Sequence, residues 1–119
     1  MLHRALAVAV TALLLSSCAS RQPARPFDAP PQAIELLESP SRGTLHFPQG
    51  TYVYESEDES GYYYRAPRNV RQNSFGGFYP HEGGIFVLKR DPQRIRGYIV
   101  LSGERRKVGD LSDTQHEFR

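Results

Sequence analysis

Side chains that could do acid–base, nucleophilic or metal chemistry are few and widely spaced in this 119-residue sequence. Cys18 is the single cysteine, and three of the four histidines, His46, His81 and His116, lie far apart along the chain. A catalytic triad needs a base beside its nucleophile, and a metal site needs two or more converging ligands. One cysteine also excludes an internal disulfide and a multi-cysteine zinc or iron–sulfur site. We therefore expect a protein that is not an enzyme, with no catalytic residue, no metal and no cofactor.

The first seventeen residues have the layout of an export signal. Arg4 supplies one fixed positive charge, residues 5–15 are apolar apart from Thr11, and small residues follow at positions 16–20. A charged, then an apolar, then a small-residue segment is typical of signal peptides. The apolar run covers only about 16 Å as a helix, far short of the roughly 30 Å hydrocarbon core of a bilayer. It is therefore too short to be a permanent membrane span.

The residues Leu15-Ser16-Ser17-Cys18, directly after this apolar run, resemble the lipobox of bacterial lipoproteins. The resemblance implies that the Cys18 thiol is alkylated with diacylglycerol, that the chain is cut before Cys18, and that the new amino terminus is acylated. Two or three acyl chains hold a protein stably on a membrane, whereas one chain does so only marginally. The alternative is an ordinary signal peptide, cleaved near Cys18, in which the cysteine is incidental.

The resemblance also bears on localisation. In enterobacterial lipoproteins an aspartate after the lipidated cysteine retains the protein in the inner membrane, and here Ala19 and Ser20 follow Cys18. The expected location is therefore the bacterial cell envelope, with the protein lipid-anchored in the outer membrane and facing the periplasm.

Composition divides the chain into three parts. Residues 1–17 are the signal segment, and residues 18–42 form a lipidated, proline-rich tether in which residues 31–38 could form two helical turns. From residue 43 to residue 119, short β-type runs alternate with Gly, Pro, Asp and Ser, and no helix-length segment separates them. This pattern predicts a small all-β domain, an antiparallel meander curled into a barrel or sandwich. The predicted core residues are Leu45, Phe47, Val53, Ile85, Val87, Ile99 and Leu101, with some of the tyrosines.

Tyrosines are concentrated in one predicted hairpin. If residues 50–56 and 61–66 pair around a tip at residues 57–59, partners have numbers that sum to 116. The candidate face then consists of Tyr52, Tyr54, Tyr62 and Tyr64 on one side of the sheet. Such a face could bind a sugar ring or a protein if it is open, or serve as a cross-strand ladder if it is covered.

The two signs of charge are separated along the chain. The acidic run at residues 55–59 does not have the spacing of a calcium loop and is typical of a solvated hairpin tip. Between residues 65 and 107, ten basic residues oppose three acidic ones, a net charge of +7. The candidate patch for an anionic partner is Arg65, Arg68, Arg71, Lys89, Arg90, Arg94, Arg96, Arg105, Arg106 and Lys107. The alternative is that these cations are spread around the sheet or paired with the acidic run.

The chain as a whole carries a formal charge of only +2, which argues against a wholly basic nucleic-acid binder. The expected partners are the membrane, through the lipid on Cys18, and a cell-wall polymer or envelope protein. The expected function is a non-catalytic binding or structural role in the envelope. One alternative is a periplasmic inhibitor of a lysozyme-like enzyme, because small lipidated β-barrel inhibitors of lysozyme share this size and architecture. Another is a hydrolase whose site is split among distant loops.

Overall fold

The computed structural model describes residues 25–74 and 77–119, and over these residues the chain is all-β, as predicted. Cys18 and the signal segment lie outside the described residues. In the described part there is no helix that is long and apolar enough to cross a membrane. The strands are β1 (Ala33–Leu36), β2 (Ser41–Arg42), β3 (Leu45–His46), β4 (Gly50–Glu57), β5 (Gly61–Arg65), β6 (Val70–Ser74), β7 (Gly77–His81), β8 (Gly83–Leu88), β9 (Ile95–Leu101), β10 (Glu104–Asp110) and β11 (His116–Phe118).

Seven strands form one antiparallel sheet in the order β10-β9-β8-β5-β4-β1-β11, with β5 at its centre. Three pairs of strands that are consecutive in sequence are also neighbours in this sheet: β4 with β5, β8 with β9, and β9 with β10. The turn between β9 and β10 consists of Ser102 and Gly103, both with positive φ, as a two-residue turn of type I′ requires. The last strand returns to the start of the domain, where Ile34 pairs with Phe118. The sheet therefore joins both ends of the described chain.

The other four strands form a smaller antiparallel sheet in the order β2-β3-β6-β7. It contributes Leu45 and Val70 to a core shared with the large sheet. Phe47, between β3 and β4, is also fully buried, and its ring lies where a side chain at Gly97 would be. Within the described residues the sheets form a sandwich rather than a closed barrel. The core cluster consists of Ile34, Leu36, Leu45, Phe47, Tyr52, Tyr62, Tyr64, Val70, Ile85, Val87, Ile95, Ile99 and Leu111.

The boundary of the tether and the short helix predicted within it are corrected by the structure. Residues 33–36 form β1, a strand that lies between β4 and β11 in the large sheet. Ile34 and Leu36 are fully buried while Leu37 is 39% exposed, so burial alternates with period two. The domain thus begins well before residue 43, because an isolated helix of two turns cannot compete with ladder hydrogen bonds on both sides of a strand.

The predicted hairpin is present, but its register differs from the predicted one. Tyr54 pairs with Tyr64, and a bulge at Glu55 then places Ser56 opposite Tyr63 and Glu57 opposite Tyr62. The shift is two residues before the bulge, which leaves the four tyrosines on their predicted shared face, and three residues beyond it, which moves Ser56 and Glu57 to the opposite faces. Of the predicted core residues, Val53 lies on the other face and is 50% exposed.

Phe27 ties the N-terminal segment to the large sheet. Its ring lies edge-on to Phe118, with centroids 5.1 Å apart, and its centroid is 6.4 Å from that of Tyr62. Phe27 is half-buried and packs against the main core. The segment before β1 is therefore part of the folded domain and not a free linker.

Replacing Phe27 with Ala should lower the free energy of unfolding by about 1–3 kcal/mol, because the change removes a half-buried ring and its edge-on partner contact. Urea unfolding of the mature chain measures the effect. The matched control is Asp28→Ala at the exposed neighbouring position, which should change stability by less than about 0.5 kcal/mol. If both changes had equally negligible effects on stability, the segment around Phe27 would be a free tether as the sequence predicted.

Candidate functional site

The large sheet has a second aromatic cluster on the face that points away from the main core, called here the outer face. Tyr63, Phe86 and Tyr98 are buried there, at 6%, 3% and 1% exposure. The Tyr63 ring centroid is 5.0 Å from that of Phe86 and 5.3 Å from that of Tyr98, the latter pair edge-on. These rings come from β5, β8 and β9, so the outer face is built from the middle of the sheet.

Two cations of the edge strand β10 cover this cluster. The Arg105 guanidinium lies 4.6 Å from the centroid of Tyr63, and the Lys107 ammonium lies 4.1 Å from the centroid of Phe86. Residues two apart on a strand share a face, which explains why both side chains fold over the rings. A cation over an aromatic face is attracted by the ring quadrupole, and its aliphatic stem also shields the ring from water.

Arg105 is neutralised by the acidic run. Its Nη2 lies 2.8 Å from Oε1 of Glu55, and the Nε of Arg65 lies 3.9 Å from Oε2 of the same carboxylate. Glu55 alternates with Tyr54 along β4, which places its carboxylate on the outer face. Further along the run, Glu57 forms an ion pair of 2.7 Å with Lys89. Two acidic side chains of the run therefore act as counter-ions for cations of the candidate patch.

Asp58 organises the turn between β4 and β5. Its Oδ1 accepts hydrogen bonds from the backbone amides of Ser60 and Gly61, at 2.8 and 3.0 Å, and its Oδ2 accepts one of 2.6 Å from the Tyr63 hydroxyl. The Tyr63 hydrogen bond, followed by those from Ser60 and Gly61, holds the pKa of Asp58 well below its usual range. Burial, and then the hydrogen bond to Asp58, raises the pKa of Tyr63 to about 12. The acidic run thus has a structural role at the hairpin tip.

A groove of about 770 Å³ lies beside the aromatic cluster, between the β8–β9 connection and the end of β10. Phe86, Leu88 and Val108 supply apolar lining. The cations that line it are Arg90, Arg94, Arg96 and Lys107, and we call these residues and the cavity between them the basic groove. All four cations are exposed, and within the described residues none of them forms an ion pair with a carboxylate.

Two aspartates also line the basic groove. Asp110 accepts hydrogen bonds from the amide and hydroxyl of Ser112, at 3.1 and 2.5 Å, and these bonds hold its pKa below the usual range. Asp91 lies in the β8–β9 connection, and one of its carboxylate oxygens is buried without a hydrogen-bond partner in the described structure. Four cations against two aspartates leave the lining with an excess of positive charge. This arrangement suits an anion that presents several charged oxygens.

Comparison of the chain with protein-family models, curated proteins and solved structures finds no match. The function must therefore be argued from the chemistry of the groove and of the sequence.

The ten predicted cations do not form one patch. Four line the basic groove, and Arg65, Lys89 and Arg105 are paired with Glu55 or Glu57. Arg68 and Arg71 line a smaller cavity of about 370 Å³ together with His46. Arg106 is exposed and alternates with Arg105 and Lys107 along β10, which places it on the other face.

The predicted tyrosine face is not open to a ligand. Tyr52 and Tyr64 are fully buried, Tyr62 is 7% exposed, and Tyr54 is half-buried against the same core. Two of their hydroxyls donate to backbone carbonyls, Tyr52 to Pro48 at 2.7 Å and Tyr64 to Pro31 at 2.8 Å. Burial raises the pKa of both phenols. Tyr52, Tyr62 and Tyr64 are core residues and Tyr54 packs against them, as expected for a covered cross-strand ladder.

The three histidines are held by different neighbours. The Nδ1 of His46 is 2.7 Å from the Ser41 hydroxyl, and the Nε2 of His81 is 2.8 Å from the side-chain oxygen of Gln72. His116 contacts the backbone oxygen of Thr114 at 2.6 Å. Over residues 25–74 and 77–119 no group of three or more His, Cys, Asp or Glu side chains is placed to hold a metal ion.

Sequence reasoning missed the aromatic cluster on the outer face. A usable signal is present, because Tyr63, Phe86 and Tyr98 each alternate with residues that belong to the main core. A strand that is apolar at both alternate sets of positions must be covered on both faces. Applied to residues 61–65, 84–88 and 96–100, this rule predicts a second apolar surface.

Asp58→Asn should weaken the acid dependence of stability. A carboxylate whose folded pKa is depressed contributes stability that is present above its ordinary pKa of 3.8 and is lost as the pH falls through the folded value. Wild type should therefore lose stability steadily below about pH 4, and the variant should show a flatter slope there. Urea unfolding from neutral pH to about pH 2 measures it. Glu59→Gln, at the exposed next position, serves as the charge-matched control, and identical slopes for all three proteins would contradict the assigned role.

Proposed function

We propose that this chain is a lipid-anchored protein of the bacterial envelope, without catalytic activity, whose basic groove binds an anionic partner. The observation that carries the proposal is the composition of the groove. Arg90, Arg94, Arg96 and Lys107 outnumber the two aspartates that line it and form no ion pair in the described residues, while Glu55 and Glu57 pair with cations elsewhere on the domain. Clustered like charges repel one another in the isolated protein, and a bound anion removes that cost.

The envelope location is supported by the lipobox that ends at Cys18. A bacterial envelope is rich in anionic groups, both in lipid headgroups and in wall polymers, and a basic surface is attracted to either of them. The folded domain begins to pack at Phe27, shortly after the proposed attachment site. A binding module placed close to a membrane surface fits both features.

A binding role is also supported by what lines the basic groove. The described lining residues are arginines, a lysine, two aspartates, a serine, a glycine and apolar side chains. Histidine, the usual general base, is not among these lining residues. Arginine stays charged at every physiological pH and presents several donors in a fixed plane, which suits recognition of oxyanions rather than proton transfer.

The lipid anchor is tested by Cys18→Ser. The wild type should incorporate labelled fatty acid and sediment with membranes after a salt wash, whereas the variant should do neither, because the thiol is the site of acylation. Arg90→Gln, which leaves the lipobox intact, is the control and should be labelled like wild type. Equal labelling of Cys18→Ser and wild type would refute the anchor.

Anion binding by the groove is tested with inorganic polyphosphate as the probe. The double variant Arg90→Gln, Arg94→Gln should bind roughly 2- to 30-fold more weakly than wild type, because each exposed cation–anion contact is worth roughly 0.2–1 kcal/mol. The matched control is Arg68→Gln, Arg71→Gln, which removes the same charge from the smaller cavity. Calorimetric titration gives both affinities, and a rise in salt should weaken wild-type binding.

An equal loss of affinity in the two double variants would mean that net charge matters and the groove does not. A lysozyme activity assay with the same proteins addresses the alternative function. Stoichiometric inhibition that both double variants retain, together with unchanged polyphosphate binding, would replace the proposed function by that of an enzyme inhibitor.

A further inference from the structure

The basic groove lies at the same end of the large sheet as the N-terminal segment. Three ladder contacts fix this arrangement: Gly61 pairs with Leu88, the Tyr54 amide donates to the Gln32 carbonyl at 2.9 Å, and Ala33 exchanges backbone hydrogen bonds with Arg119. The segment at residues 25–32, the hairpin tip at residues 58–60 and the β8–β9 connection at residues 89–94 therefore meet at one end. We call it the proximal end, and the opposite end, where β5 finishes at Arg65, the distal end.

Two series of neighbouring residues connect Phe27 with the groove. The rings of Phe27 and Tyr62 are 6.4 Å apart, and the Lys89 ammonium lies 5.2 Å from the Tyr62 centroid, next in sequence to Arg90 of the groove. On the other side, Phe27 contacts Phe118, which lines a small cavity together with Arg94. Arg94 lines the basic groove as well. The point where the N-terminal segment meets the domain is thus a near neighbour of the groove.

The covalent chain limits how far this end can be from Cys18. Nine residue steps separate Cys18 from Phe27, and a fully extended chain spans at most about 3.3–3.6 Å per residue. The distance is therefore at most about 32 Å, whatever conformation the intervening residues adopt. If Cys18 carries lipid, the proximal end stays within that distance of the bilayer surface.

We propose that the basic groove docks onto the anionic phosphate headgroups of the membrane in which Cys18 is anchored. This inference rests on the proposed lipid anchor and names the partner of the groove. A short tether gives the groove an effective headgroup concentration in the millimolar range, so weak individual contacts suffice for docking. Binding to a polymer of the cell wall does not require the cations to lie at the tethered end. Docking onto the headgroups of the membrane that holds the lipid does require it.

The acidic groups of the proximal end leave the groove positive. Glu57 is paired with Lys89, and Asp58 is occupied by the hairpin turn and Tyr63. Asp110 is held by Ser112. Arg90 and Arg94 are exposed and form no ion pair within the described residues, although the charge of Arg94 contributes to the lowered pKa of Asp110. Both are therefore available to headgroup phosphates, which are bound by Arg and Lys as charge-assisted hydrogen-bond acceptors.

The test uses the lipidated mature protein in vesicles, with a tryptophan as the reporter. The sequence contains no Trp, so Gln93→Trp places a single indole in the exposed β8–β9 connection at the proximal end. Asn69→Trp, also exposed, places the matched control near the distal end. In vesicles of phosphatidylcholine with phosphatidylglycerol, the emission of the proximal reporter should shift to shorter wavelength and be quenched by spin-labelled headgroups. The distal reporter should show neither effect.

Two comparisons make the docking specific to charge and to the groove. Vesicles of phosphatidylcholine alone should remove the proximal signal, although the lipid keeps the protein attached. Adding Arg90→Gln and Arg94→Gln to the reporter should lower the docked-to-undocked ratio about fivefold per cation, or roughly 25-fold in total. Arg68→Gln with Arg71→Gln, the same change in charge at the other end, should leave the ratio unchanged.

The outcomes separate this inference from the proposed function. Failure of the protein to sediment with any vesicles would refute the lipid anchor itself. Stable attachment without quenching at position 93 would overturn headgroup docking while the anchor stands. A proximal signal that responds to soluble polyphosphate but not to phosphatidylglycerol would also overturn docking and would assign the groove to a polymer. Quenching of both reporters alike would mean that the domain lies on the membrane without a preferred face, which contradicts the inference.

Discussion

The fold depends on the burial of three consecutive tyrosines on its central strand. Alternation along β5 sends Tyr62 and Tyr64 into the main core and Tyr63 into the aromatic cluster of the outer face. A buried hydroxyl without a partner costs about 1–3 kcal/mol, so each phenol constrains what lies beside it. The Tyr64 hydroxyl donates a hydrogen bond to the carbonyl of Pro31, and the Tyr63 hydroxyl donates one to the carboxylate of Asp58. One strand thereby fixes both the N-terminal segment and the hairpin turn.

The fold class, the hairpin and the shared face of its tyrosines were predictable because they depend on local patterns. Turn residues separate the strands, and the face of a side chain depends only on the parity of its position, which a register shift of two preserves. The strand at residues 33–36 was not predictable in this way. Ile34 pairs with Phe118, and no local feature of the proline-rich segment indicates a pairing strand at the other end of the chain. Ile34, Leu36 and Leu37 fit a short helical face as well as a strand, and only tertiary pairing decides between them.

The sequence predicted that the candidate site is basic, but it did not predict which of the basic residues form it. The sequence singled out all four cations of the basic groove together with six others. Which cations are paired depends on the strand order, which brings Glu55 of β4 within reach of Arg105, and on the alternation of β10, which separates Arg106 from Arg105. Bulges and cross-sheet pairings are properties of the assembled sheet. The covering of the tyrosine face could not be predicted for the same reason. The small sheet and the N-terminal segment that contribute to its core come from elsewhere in the chain.

Stability does not explain the free cations of the groove. Exposed ion pairs contribute at most about 1 kcal/mol each, so the pairs of Glu55 and Glu57 matter less for folding than the aromatic packing that they border. Arg90, Arg94 and Arg96 form no such pair in the described residues, and the two aspartates of the lining balance only part of the positive charge. The antiparallel order of the sheet also determines at which end of the sheet these charges lie. Because β1 runs antiparallel to β4, and β5 to β8, the segment that enters β1 and the loop that leaves β8 must lie at the same end of the sheet. An attachment through the N-terminal segment is therefore made at the end of the sheet that carries the groove.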